Sequence, residues 1–237
     1  MIDCHSHILP QVDDGPGSME ESLTMLSQSF QQGVDLIVST SHFYGDEEYP
    51  REFLKRRNQA YEELQRAMLV RAEVYPKILL GAEVLFFPGI SEAEEIMNLR
   101  IGSSDCILIE PPMMPWSDRM LDEIAQMGKN FRCIPVIAHV DRYMQMLRDK
   151  TLLERVRERE MVVQVNADYF LNPKTVKSAI QNLKLGNIQL IGSDCHNLKN
   201  RAPNLGFARR QAKAFGAESE FNRLHQNAVD LLFSRGA

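Results

Sequence analysis

The chain has 237 residues, 44% hydrophobic and 25% charged, with a formal net charge of −5. That length suits one substantial domain whose core can stand without disulfides. The acidic balance excludes a global basic field for nucleic acid or an anionic membrane, so an anionic substrate must be met by local positive charge.

In chain order, MIDCHSH lacks the basic and apolar regions of a secretion signal. No apolar stretch approaches the ~18 residues that span a bilayer. A cytoplasmic protein with no membrane insertion is expected. Met1–Cys4 reads as a first strand. Ser18 and Glu21 form a capping-box pattern, opening a helix with Leu23, Leu26 and Phe30 at helical spacing and Gly33 at its end. Leu36–Thr40 is the second strand and Arg51–Glu73 a long polar helix. Ile78–Leu80, running toward Glu83, is the third strand. Cys106–Ile109, Ile134–Ala138, Met161–Val165 and Ile188–Ile191 follow as strands. Helices are predicted over Asp118–Gly128, Thr151–Glu160, Pro173–Leu183, Asn204–Phe215 and Glu218–Ser234. Pro111–Trp116 is a compact loop. Cys4, Cys106, Cys133 and Cys195 form no C-x-x-C pair and read as buried, reduced thiols.

Strands apolar on both faces, alternating with helices, predict a parallel α/β sheet. Length and repetition favour a closed or nearly closed barrel, and no G-x-G-x-x-G follows the first strand. No repeat or linker divides the chain, so residues 1–237 are expected to form a single domain.

Ionisable residues collect where these strands end. His5 and His7 end the first, His42 the second, Glu83 the third, Glu110 the fourth and His139 the fifth. Asp194 and His196 end the seventh. In a (β/α) barrel such ends converge on one face. A lone histidine there is more often structural, and a lone carboxylate is often a helix cap. Here the pattern holds at six of seven strands. Burying so many ionisable groups without a cation would leave them unpaired in low dielectric. Residues two apart on a strand share a face, so H-x-H and D-C-H can each grip an ion while Cys4 and Cys195 turn away. So many ligands suggest two or three divalent ions bridged by a carboxylate. Imidazole and carboxylate donors suit Mn²⁺, Fe²⁺ or Zn²⁺. Arg142 and Arg201, read as lying in loops just past His139 and His196, offer guanidinium forks for phosphate. Ions that acidify water and stabilise attacking and leaving oxygens suit phosphoester hydrolysis. Cys195 and Arg201 also satisfy C-x5-R, the pattern of cysteine-dependent phosphatases. The intervening HNLKN has none of the small residues that such a phosphate loop favours.

MIDCHSHILPQVDDGPGSMEES, IVSTSH, GAE, IE, PVIAHVDRY, the QVNAD strand and GSDCHN followed by RAP are spread through the whole chain. Together they resemble the polymerase-and-histidinol-phosphatase (PHP) superfamily and, within it, the capsule-type (CpsB/CapC) bacterial tyrosine phosphatases. The resemblance implies a distorted (β/α)7 TIM-like barrel of PHP type and a trinuclear, usually manganese-dependent centre. It implies His5, His7, Glu83 and Asp194 on a first ion, Glu83, Glu110 and His139 on a second, and Asp14, His42 and His196 on a third. Asp13 is the alternative to Asp14. Arg142 and Arg201 would hold the phosphate. Asp194 would also orient, or take a proton from, a metal-bridging hydroxide that attacks phosphorus directly. The implied substrate is phosphotyrosine in a protein, typically the tail of a tyrosine autokinase of exopolysaccharide export. Asp141 stands where the family often has Glu, and PPMMPW follows no family pattern. Trp116 is read as loop packing rather than a platform for a substrate ring. Alternatives are a histidinol-phosphatase-like phosphomonoesterase, an amidohydrolase, or a non-catalytic PHP binding module. His225, on the last helix, is expected to be unrelated to the centre.

Overall fold

A computed structural model describes residues 1–149 and 151–233. Strand β1 (Ile2–Ser6) leads to helix α1 (Met19–Gln31). Ser18 Oγ accepts the Glu21 N–H, whereas the Glu21 carboxylate reaches back to Gly17 rather than to Ser18. The expected second strand is broken into β2 (Leu36–Ser39) and β3 (His42–Phe43). Helix α2 (Pro50–Leu69) stops earlier than predicted. The third strand is likewise split, into β4 (Lys77–Leu80) and β5 (Glu83–Leu85). Two 3-10 turns, Ile90–Glu92 and Glu94–Leu99, cross to β6 (Cys106–Glu110).

The second half is more regular. Helix α3 (Asp118–Phe131) buries Met120, Leu121, Ile124 and Met127 at helical spacing. Then come β7 (Ile134–Ile137), α4 (Val140–Leu147), α5 (Leu152–Arg157) and β8 (Val162–Asn166). Next are α6 (Asp168–Leu171), α7 (Val176–Lys184) and β9 (Leu190–Gly192). Helices α8 (Leu205–Ala214) and α9 (Glu218–Phe233) close the described chain. The predicted end of α9, Ser234, lies outside the described residues. No helix among the described residues is long and apolar enough to cross a membrane.

All strand pairs are parallel, in the orders β1-β2-β4 and β3-β5-β6-β7-β8-β9. Since β2 and β3 share one position, as do β4 and β5, seven positions result from the nine strands among the described residues. The last returns to the first. Ser6 bridges Cys195, the His7 N–H donates to Cys195 O at 2.9 Å, and the Asp194 N–H donates to His5 O at 2.8 Å. This is the distorted (β/α)7 barrel. Gly192 permits the seam, because a Cβ there would stand 2.4 Å from the His5 Cβ.

Glu83 pairs with Leu108, and Leu108 with Val136, so these three face the barrel interior together. Beside and below Glu83 the interior is apolar. Ile2, Cys4, Val38, Cys106, Leu108, Val136 and Leu190 pack with Ala228 and Leu232 of α9. A second, larger cluster joins the outer strand faces to the helices. Register slips in β1 between Asp3 and Ser6. Cys4 therefore sits in the inner apolar layer while His5 and His7 also face inward above it. Alternation alone had placed Cys4 on the opposite face.

Candidate metal centre

His5 and His7 leave β1 with their Nε2 atoms 3.2 Å apart. Glu83 Oε2 lies 2.9 Å from His5 Nε2 and 3.1 Å from His7 Nε2. Asp194 Oδ1 lies 3.6 and 3.7 Å from the same two nitrogens. Donors at ~2.0–2.2 Å from one ion stand roughly 3–3.6 Å from each other. The four residues fit that spacing.

A second group shares Glu83. His139 Nε2 is 2.9 Å from Glu83 Oε1 and 3.3 Å from Glu110 Oε1. Glu83 thus turns one oxygen to each group. In a third group, Asp14 Oδ1 lies 3.1 Å from His196 Nε2 and 3.5 Å from His42 Nε2. The His42 ring stands between groups, since its Nδ1 faces Glu83 Oε2 at 3.4 Å and Glu110 Oε2 at 3.7 Å. The structure therefore brings together His5, His7, Asp14, His42, Glu83, Glu110, His139, Asp194 and His196. Asp14 stands at the rim with a 60% exposed side chain, whereas His5, His7, Glu83, His139, Asp194 and His196 are buried.

Asp13 has other work. Its Oδ2 accepts from His7 Nδ1 at 2.7 Å and from the His42 N–H at 2.9 Å, and its Oδ1 accepts the Gly15 N–H at 3.0 Å. With Nδ1 donating to Asp13, a neutral His7 ring presents its Nε2 lone pair toward Glu83. His196 is set similarly, with Nδ1 donating to Asp194 O at 3.0 Å. His196 Nε2 and His42 Nδ1 have no hydrogen-bond partner although buried. Unpartnered ring nitrogens among carboxylates suit a cation.

Burial lowers the pKa of His7, but hydrogen bonds and charge from Asp13 and Glu83 outweigh it and push it up to about 10. Burial likewise opposes protonation of His139, and Glu110 and Glu83 raise it to about 9. Burial pulls His42 and His196 down. Burial disfavours ionised Glu83 and Asp194, yet the imidazoles around them hold both well below the usual carboxylate range. The carboxylates therefore stay anionic.

Two strand exits carry left-handed backbone, His139 at φ +32° and Asp194 at φ +52°. Such conformations cost roughly 1–3 kcal/mol and persist where surroundings enforce them. β9 ends at Gly192, so Asp194 reaches the cluster through this kink rather than through the strand alternation expected of D-C-H. Arg142 also differs from expectation, lying in the first turn of α4 and not in a loop. It pairs through Nη2 with Asp194 Oδ2. Arg201 does lie in a loop, and its Nη2 donates to Asp194 Oδ1 at 2.6 Å. Both guanidiniums are about a third exposed at the mouth of the cluster.

Sequence reasoning passed over Gln164 and Asn166. Gln164 Oε1 touches His5 Nδ1 at 3.2 Å, and Asn166 Nδ2 donates to Asp194 Oδ2 at 2.8 Å. Two amides at i and i+2 in an otherwise apolar strand were the available signal. Trp116 is buried against Tyr143, ring centroids 4.6 Å apart, which is loop packing. Cys195 lies in the outer apolar cluster, and burial pushes its thiol far up, the reverse of what a nucleophile needs.

The family described as capsular polysaccharide synthesis, CpsB/CapC, matches residues 1–233. The tyrosine-protein phosphatase CpsB of Streptococcus agalactiae serotype III is 30% identical, over 98% of this chain and 98% of that protein. The tyrosine-protein phosphatase YwqE of Bacillus subtilis is 28% identical, over 98% of this chain and 91% of that protein. A solved structure from a study of YwqE of Bacillus subtilis and CpsB of Streptococcus pneumoniae, "unique metal-dependent tyrosine phosphatases", superposes with a TM-score of 0.84. It shares 23% identity and covers 100% of this chain and 96% of that one, a likeness of fold.

Proposed function

Because the chain belongs to the CpsB/CapC family of capsular polysaccharide synthesis, we propose that it is a metal-dependent protein-tyrosine phosphatase. One observation carries the reading. Glu83 offers its two oxygens to two sets of imidazoles, at 2.9 Å on either side, inside a buried ring of further donors. The naming of CpsB and YwqE as tyrosine-protein phosphatases supports the activity.

His5, His7, Glu83 and Asp194 would hold a first ion. Glu83, Glu110 and His139 would hold a second, and Asp14, His42 and His196 a third. Two or three divalent ions, manganese before iron or zinc, suit these donors. Bound there, the ions supply Lewis acidity for water activation and for charge on the phosphoryl oxygens. Arg142 and Arg201 exchange Asp194 for phosphate oxygens as substrate enters. Asp194, held by Asn166 at Oδ2, orients the attacking water. The low dielectric of the buried walls strengthens each contact. The substrate is a tyrosine-phosphorylated protein, with an autokinase tail as the partner, and residues 1–237 act as one catalytic domain.

The test is metal analysis of the purified protein with hydrolysis of a phosphotyrosyl peptide before and after EDTA. Hydrolysis should vanish with chelation and return with Mn²⁺. Turnover that survives chelation, or a preference for histidinol phosphate over the peptide at equal concentration, overturns the reading.

A further inference from the structure

Among the described residues, β8 gives the ionisable cluster no member, yet its end is polar and buried. Gln164 is 0% exposed and Asn166 7%. They lie two apart, on the inner face. Gln164 Oε1 is 2.6 Å from the His139 backbone N and 3.2 Å from His5 Nδ1. A peptide N–H can only donate, so the Gln164 atom beside it must be the carbonyl oxygen. That acceptor also faces His5 Nδ1, which must then carry the ring proton. The lone pair falls on Nε2, the nitrogen that meets His7, Glu83 and Asp194.

The other end of the amide continues the chain. Gln164 Nε2 donates to Val165 O at 2.7 Å and to Asn166 Oδ1 at 3.3 Å. With its oxygen accepting, Asn166 must donate through Nδ2, and it does so to Asp194 Oδ2. One peptide N–H, on the left-handed His139, thereby sets the direction of every bond from His5 to Asp194. His7 is oriented by the charged Asp13, whereas His5 is oriented by a neutral amide. The amide adds no further negative charge beside Glu83 and Asp194.

Resting on the metal-dependent reading above, we propose that Gln164 is a positioning residue that holds His5 in its Nδ1–H form and anchors the His139 backbone, and so sets the affinity of the centre for its ion.

Gln164→Leu and Gln164→Glu test this. Glutamate keeps an acceptor for His5 and for the His139 N–H, and leucine keeps neither. Histidine tautomers are read by long-range ¹H–¹⁵N correlation in the metal-free protein, at a pH where the His5 ring is neutral. Mn²⁺ affinity is read by chelator competition, and folding by circular dichroism. Wild type and Gln164→Glu should show His5 as Nδ1–H, and Gln164→Leu should lose that preference. Gln164→Leu should bind Mn²⁺ roughly 10- to 100-fold more weakly, and Gln164→Glu, which keeps the acceptor but loses the donor to Asn166, should retain more of the affinity than Gln164→Leu. A folded Gln164→Leu protein with unchanged affinity and an unchanged His5 tautomer overturns the proposal. Should Gln164→Leu not fold, the wild-type spectrum still decides, because His5 found as Nε2–H overturns it. Wild type that binds no Mn²⁺ would sink the metal reading and the affinity claim, while the tautomer result would still judge the role of Gln164.

Discussion

The barrel interior has two layers, built by the same strands and opposite in chemistry. The lower layer, with Cys4, Cys106, Leu108, Val136 and Leu190 sealed by α9, is apolar. The upper layer, one step along β1, β6 and β7 and their exits, holds His5, His7, Glu110 and His139. The lower layer and the outer shell supply hydrophobic stability. The upper layer gathers buried charge and left-handed backbone that a chain selected only for stability would avoid. Stability and chemistry are therefore separable by depth in one barrel.

The largest break in this comparison comes from the upper layer. His5→Ala or Asp194→Ala should reduce phosphotyrosyl-peptide turnover on the order of 10³-fold or more while the far-ultraviolet spectrum is kept. Residual turnover within tenfold of wild type would show that the cluster is not the seat of chemistry. The lower layer should respond in the opposite sense. Leu108→Ala, at a fully buried site, should cost about 2–5 kcal/mol in urea unfolding and leave metal stoichiometry unchanged. Lost stoichiometry in the folded variant would mean that the layers are coupled.

A subtler test uses Arg201. Arg201→Ala removes a charge-assisted contact at the mouth and should raise KM about tenfold or more, with a smaller effect on kcat. Unchanged KM and kcat together would remove Arg201 from phosphate binding.

The metal-free protein should also report the upper layer through pH. His7 at about 10 and His139 at about 9 lie above the ordinary 6.5. Their stabilising contribution is complete below 6.5 and is lost as pH rises through 9 and 10. Glu83 and Asp194 are depressed, so theirs is complete above the ordinary carboxylate range and is lost as pH falls. A melting temperature that stays flat from pH 6.5 to 10 would contradict this. The smallest effect belongs to Cys195, which lies in neither layer, and Cys195→Ser should leave turnover within about twofold. Abolished activity in that variant would revive a thiolate mechanism.

Much of this was legible in the amino-acid order. Apolar runs ending in His or a carboxylate gave the strand–helix alternation and every member of the cluster but Asp14, which only the family resemblance supplied. Breaks at Thr40-Ser41 and Gly81-Ala82 were not legible, because they arise from barrel curvature rather than from local preference. Helix α4 is only eight residues long and begins directly after His139, too short for periodicity to announce. The kink at Asp194 depends on the seam with β1, which no local pattern records. Asp14 was preferred to the adjacent Asp13 by the family resemblance, not by any local pattern. The structure agrees with Asp14 beside His42 and His196, and it alone gives Asp13 its place against His7.

The seam at Ser6 and Cys195 has a consequence for timing. These two residues, far apart along the chain, must dock there before Asp194 and His196 can stand beside His5 and His7. In a growing chain, His5, His7, Glu83, Glu110 and His139 therefore emerge well before Asp194 and His196, and a pocket for ions would stay incomplete until then. High-affinity loading of ions there would await that late, long-range docking and so be tied to completion of folding.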